Sequence, residues 1–184
     1  AAKAGQMLYA TAGVTTAQID RWLGGGQAVV RTMPNTPALL GAGATGLYAN
    51  ARVAPPQREA AEALMQAAGI TAWIDDEALM DAVTAVSGSG PAYVFYLMEA
   101  MLAAAGGLAV DSAVARKLVY QTVAGAAELA RQSVEPPEIL RAKVTSKGGT
   151  TAAAIAVLEE REVRSALVAA VLAAHRRAGE MSAS

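Results

Sequence analysis

The chain has 184 residues, no cysteine and a single histidine. Without thiols there is neither a disulfide framework nor thiolate chemistry. One histidine cannot build a zinc site, so no metal is expected. Aromatic residues make up only 4%, with one Phe and two Trp. Charged residues are 17% and nearly balanced, for a net charge of −1. That excludes the basic stripe a nucleic-acid partner requires. The opening Ala1-Ala2-Lys3-Ala4-Gly5 is not a secretion signal, and its lack of a starting Met is read as trimming at that end.

What remains is an apolar chain, 54% hydrophobic with a mean hydropathy of +0.31. The apolar content is mostly Ala, Val and Leu. Small side chains let helices approach closely, and this much apolar surface exceeds what a small monomer hides, which predicts an oligomer. Gly90 to Val110 is almost wholly apolar, but Glu99 sits near its centre and Gly106-Gly107 interrupts it. A mid-span acid is costly in lipid, so a buried helix at a subunit interface is the better reading than a membrane span.

Periodicity divides the chain in two. Residues 1–75 read as α/β, with short strands at Met7–Thr11, from Val29, at Thr45–Ala49 and at Ile70–Ile74. Helices intervene, one capped by Thr15 or Thr16 and running through Trp22, the other from Pro55 through Ala68. Strands alternating with helices suggest part of an α/β sheet, too small for a complete doubly wound domain. Residues 76–184 show no strand. Helices are expected at 76–86, 92–105, 111–133, 136–143, 151–158 and 162–181. In the third, Val114, Leu118, Val123, Ala126, Ala127 and Ala130 form one apolar stripe, and Asp111 or Ser112 caps its start. The helix over 92–105 is apolar on every side except Glu99, the pattern of burial all round. The expected fold class is therefore mostly α, with a small α/β part leading into an all-helical part.

Four motifs carry chemical interest. Gly41 to Gly46 is a literal G-x-G-x-x-G, but a Pro-rich loop precedes it and a strand-like Leu47-Tyr48-Ala49-Asn50 follows. The phosphate-binding fingerprint needs a strand before and a helix after, so a flexible loop leading into a strand is preferred. Ser87-Gly88-Ser89-Gly90-Pro91 lacks the first Gly of a nucleophile elbow, and His175 lies beside Arg176 and Arg177 near the chain end. A tight turn capping the next helix is preferred to a hydrolase triad. Met33-Pro34-Asn35-Thr36-Pro37 follows a strand, where α/β sheets place ligands; a rigid crossover loop is the alternative. Val144 to Thr151 is the richest segment: Thr145-Ser146, Lys147, Gly148-Gly149 and Thr150-Thr151 lead directly into an Ala-rich helix. Such a start is either an anion cradle or an ordinary capped helix after a glycine turn.

Three segments in order resemble the pyrroline-5-carboxylate reductase family: Val30 to Pro37 with the following GAGATGLYAN, Asp81 to Tyr93, and Val144 to Thr151. Ala12-Gly13-Val14-Thr15 is similar to a further turn of that family, with Thr11 in place of its first Ala. The resemblance implies a C-terminal remnant of a Rossmann domain over 1–75 and an all-helical dimerisation and substrate-binding domain over 76–184. It implies NADPH- or NADH-dependent reduction of 1-pyrroline-5-carboxylate to L-proline by a cytoplasmic enzyme whose homodimers assemble into decamers. In that comparison Val144, Ser146, Gly148, Gly149, Thr150 and Thr151 bind substrate. Thr151 is the catalytic residue, bonding the ring nitrogen. Ala12, Gly13, Pro34 and Asn35 lie near the nicotinamide. Lys147 stands where many members have Pro and adds positive charge near the carboxylate. The family's own glycine fingerprint belongs to a first β-α-β unit absent from this sequence. That leaves open a catalytically silent dimerisation module. A 3-hydroxyacid-type dehydrogenase fits less well, because the helix over 92–105 offers only Glu99 where such enzymes use Lys or His.

Overall fold

A computed structural model describes residues 6–10 and 12–182. Four strands form one sheet in the order β1-β2-β3-β4, with β1 at Gln6–Ala10, β2 at Ala28–Met33, β3 at Gly43–Ala49 and β4 at Gly69–Trp73. β1 and β2 are parallel, β2 and β3 antiparallel, β3 and β4 parallel. Helix α1 spans Thr16–Trp22 and α2 Pro55–Gln66. These elements fall where the sequence places them; Thr11, expected to end the first strand, lies outside the described residues. After a 3-10 turn at Glu77–Leu79 the remainder is helical: α3 Met80–Val83, a π-helical turn Thr84–Gly88, α4 Gly90–Gly107, α5 Ser112–Gln132, α6 Pro137–Lys143, α7 Thr150–Glu160 and α8 Val163–Ser182. The mostly helical class, with a Rossmann remnant at its start, is what forms.

The chain separates into two compact units, Ala1–Pro91 with Ala169–Ser184, and Ala92–Val168. In the first, β2 lies between β1 and β3, and its four central residues are buried. Val30, Leu47 and Ala61 form the centre of the core, with Leu8, Val53, Met65 and Trp73 against them. Thr15 caps α1: its hydroxyl accepts from the Gln18 amide, and the Gln18 side chain accepts from the Thr15 amide at 2.7 Å. Gly43 and Gly46 belong to β3 rather than to a flexible loop. A Cβ at Gly46 would sit 2.6 Å from a Val83 methyl, so the glycine there lets α3 press onto the sheet.

Two expectations change in this unit. The helix expected over 76–86 is instead a 3-10 turn, a short α-helix and a π turn. Ser87 to Pro91 is no capping turn, because Ser89 N donates to Thr84 O at 2.8 Å and the chain stays helical into α4. The Thr84 and Ser87 hydroxyls donate back to Met80 O and Val83 O. That habit widens and bends helices, and it leaves neither hydroxyl for a cap.

In the second unit only Ala115 and Val119 are buried among the described residues. Asp111 caps α5 by accepting from Ala113 N and Val114 N at 3.0 and 3.1 Å. The stripe read on α5 is not covered within the chain: Val114 and Leu118 are exposed. Nor is α4 buried, with Phe95 and Leu97 exposed and Tyr96 73% accessible. Among the described residues of α4 none is fully buried, although Met98, Met101 and Leu102 are half-buried. Among the described residues, no helix is long and apolar enough to cross a membrane.

Candidate functional site

The parallel pairing of β1 and β2 sets the first candidate segment. Their register places Ala10 opposite Thr32. Ala12-Gly13 follows β1 and Pro34-Asn35 follows β2, so both segments come after the carboxyl ends of neighbouring parallel strands. The carboxyl edge of a sheet is where ligands settle in α/β folds. Gly13 has φ +74°, and a Cβ there would lie 2.9 Å from the Met181 side chain, so this turn packs tightly against the end of α8.

Asn35 is fixed at both ends of its amide. Its Nδ2 donates to Ser87 O at 3.0 Å, and its Oδ1 accepts from Ala44 N at 2.9 Å. Nδ2 carries two hydrogens, so one donor of this side chain is not consumed by Ser87. Met33 lies against Gly88, where a Cβ would come within 2.6 Å of its methyl. The loop after β2 is therefore zipped along the π turn.

Beneath this loop is a charge cluster that the sequence reading passed over. Arg31 is 1% exposed; its Nη1 is 3.4 Å from Glu77 and its Nη2 3.8 Å from Asp81. Glu77 accepts from Thr16 N at 2.7 Å and from the Thr16 hydroxyl at 2.6 Å. Asp81 accepts from the Ser182 hydroxyl at 2.8 Å. Tyr9 donates to Val14 O at 3.0 Å, and its phenol is pushed well above the usual tyrosine range, first by burial and then by the Glu77 charge, with Arg31 opposing. The signal was present: a lone Arg inside the apolar strand Ala-Val-Val-Arg-Thr-Met, and two acids four residues apart on the next helical segment.

A separate candidate segment lies in the other unit. Helix α6 ends at Lys143, and Thr145 turns back, its hydroxyl donating to Arg141 O at 2.6 Å. Gly148 takes φ +74°, and Gly149 N donates to Ser146 O at 3.0 Å, closing a tight turn. Gly149 is the N-cap of α7, and no side chain caps this helix start. A glycine cap after a glycine turn is compatible with either alternative, the anion cradle or the ordinary helix start, and Gly149 has no side chain to fill the place in front of the helix. The first-turn amides and the positive end of the dipole remain available to an anion. Ser146, Lys147, Gly148 and Thr150 are exposed, Gly149 and Thr151 half-buried, and Val144 is 63% exposed. Arg141 of α6 and Arg164 of α8 both meet Glu159 at the far end of α7, at 3.2 and 2.9 Å.

A dinucleotide needs one seat for its ring and another for its pyrophosphate. Asn35 keeps one amide hydrogen beyond its bond to Ser87 for a ring at the sheet edge. The Gly41–Gly46 run does not suit a pyrophosphate, since Gly43 to Gly46 are strand residues and no helix opens after them. Among the described residues there is also no cluster of His, Cys, Asp or Glu able to hold a metal.

Fold and site together define a class: the tail of a Rossmann-type sheet continued by an all-helical domain that carries a glycine-capped helix start. The family model described as pyrroline-5-carboxylate reductase dimerisation matches residues 77–181. A pyrroline-5-carboxylate reductase of Pseudomonas aeruginosa is 49% identical over 171 residues, covering 93% of this chain and 63% of the relative. The Synechocystis enzyme is 51% identical over 155 residues, 84% of this chain and 57% of the relative. Among solved structures, a pyrroline-5-carboxylate reductase from Coxiella burnetii superposes with TM-score 0.93 at 43% identity, covering 98% of this chain and 67% of that one. The Plasmodium falciparum pyrroline carboxylate reductase with NADP bound superposes with TM-score 0.88 at 29% identity, covering 95% and 70%. The chain belongs to the pyrroline-5-carboxylate reductase family. It spans about three-fifths of the length of the curated relatives it matches.

Proposed function

We propose that this chain binds 1-pyrroline-5-carboxylate and contributes to its reduction to L-proline, with NADPH or NADH as the hydride donor, as part of a cytoplasmic homodimer or larger assembly. The observation that carries the reading is the glycine-capped start of α7, which has no side-chain bond at its cap and suits a small carboxylate. Ser146 and Thr150 offer hydroxyls, and Gly148 and Gly149 shape the turn so that backbone amides face the anion. Lys147 adds positive charge nearby. Val144 presents an apolar wall to the ring, and Thr151 donates to or accepts from the ring nitrogen as it gains its proton. Ala12, Gly13, Pro34 and Asn35 contact the nicotinamide. The cofactor, when bound, supplies the hydride; the protein holds the imine carbon in line and keeps water out. Residues 1–75 would serve the cofactor side and 76–184 assembly and substrate binding.

A second reading has its own support. The uncovered helices α4 and α5 favour a helical dimerisation module without activity of its own. The two readings separate in one experiment. The chain is titrated with NADPH, following the cofactor's fluorescence, and then assayed for imine reduction. Saturable micromolar binding with turnover is the expected result, and Thr151→Ala should then lower kcat by about 10²- to 10³-fold, the scale of losing one positioned donor, while the dimer persists. No binding at millimolar NADPH would leave only the dimerisation module. Near-normal turnover in Thr151→Ala would remove that residue from the mechanism.

A further inference from the structure

The geometry points to the buried Arg31–Glu77–Asp81 cluster as the device that positions the two nicotinamide-side loops against each other, an inference that rests on the function proposed above. A buried ion pair is a poor source of stability, because desolvating the charges offsets their attraction and apolar residues of similar volume do as well. Arg31 Nη1 donates to Glu77 at 3.4 Å, while Nη2, 3.8 Å from Asp81, makes no hydrogen bond, so the guanidinium holds Glu77 by contact and Asp81 by charge alone. Here every anchored partner leads within a few residues to a member of the site. Arg31 is three residues before Pro34. Thr16, held by Glu77 at 2.7 and 2.6 Å, is three residues after Gly13. Asp81 holds Ser182 at 2.8 Å, next to the Met181 that packs on Gly13. The same helical segment continues to Ser87, whose carbonyl accepts from Asn35 at 3.0 Å. Arg31, Glu77 and Asp81 touch no reacting atom in this arrangement; they are positioning residues.

The test uses Glu77→Gln, which keeps the shape and removes the charge, with Arg31→Lys as the conservative partner. Each is made in this chain and checked for folding by circular dichroism. Amide exchange is then measured at Gly13, Thr16 and the Asn35 side chain, along with affinity for reduced nicotinamide mononucleotide, the half of the cofactor these loops would meet. The expected result for Glu77→Gln is exchange at Gly13 and Asn35 faster by tenfold or more and a nucleotide Kd raised about tenfold, the scale of one charged hydrogen bond. Arg31→Lys should fall between it and the parent. Folded variants with a lowered melting temperature but parental exchange and affinity would overturn the positioning role and leave the cluster as mere structure. Should Glu77→Gln not fold, Arg31→Lys decides alone by the same two readouts. If the parent chain binds neither the mononucleotide nor NADPH, the functional reading itself fails. Altered exchange without nucleotide binding then overturns the claim that the cluster serves a cofactor.

Discussion

Tyr9 lies half-buried near Glu77, and its phenol holds its proton more tightly than it would in water. Its ordinary value is 10.0, and burial with the Glu77 charge raises it further in the folded chain. The sign follows from linkage. The folded state holds the phenol proton more tightly than the unfolded state does, so the contribution is complete below pH 10 and lost as pH climbs through the folded value. Stability should therefore fall on the alkaline side between pH 10 and 12, and Tyr9→Phe should flatten that fall. Urea midpoints measured every half unit from pH 8 to 12 check this. An identical slope in the variant would assign the alkaline loss to other groups. Asn35 shows how far residue-level reading reaches. Its position after a strand marked it as a ligand-side residue, but not that Ser87 and Ala44 already engage both ends of its amide. Those partners are 52 and 9 residues away in sequence, and no local pattern encodes them.

At the scale of elements, the strands and most helices were legible because each carries its own period and its own end signals. Asp111 before α5, the Thr15–Gln18 box at α1 and the prolines opening α2 are local chemistry. The segment 77–88 was not legible, since a π turn comes from back-bonding hydroxyls and from what presses on the helix. The Gly41–Gly46 run was read as a loop leading into a strand because a Pro-rich segment precedes it; β3 starts two residues before the expected Thr45, at Gly43, and the absent side chain at Gly46 makes room for Val83. This makes a prediction for β3. Gly46→Ala should destabilise the chain by about 1–3 kcal/mol through overpacking against Val83, and Val83→Ala in the same chain should recover part of the loss. Thermal unfolding of the two single variants and the double variant measures the coupling. Simple additivity would mean that the contact is not the cause.

For the whole molecule the decisive feature is apolar surface without cover. In α4, Phe95, Tyr96 and Leu97 are exposed, and Leu108 beyond its end is 77% accessible. A family model described by dimerisation matches residues 77–181, and such a surface calls for self-association. The mass in solution should accordingly be at least twice 18.7 kDa. Glu99→Lys should reduce it, by placing an unpaired cation in an apolar helix that association would bury. Light scattering across a hundredfold dilution reads both, and an unchanged mass for the variant would take α4 out of the interface.

By itself the sequence determined the class of fold, the family and the segments where chemistry is to be sought. Hydrophobic period, caps, prolines and the Val144–Thr151 turn act over a few residues and are written in order along the chain. Tertiary structure alone decided three things: that Arg31 meets Glu77 and Asp81, that Asn35 is held by Ser87 and Ala44, and that the start of α7 is left without a side-chain cap. The first two depend on which distant groups share a buried space, and the third on the path the backbone takes through Gly148 and Gly149. Burial turns a salt bridge or an amide contact from a weak, screened interaction into a directional constraint, and only the folded chain creates that burial.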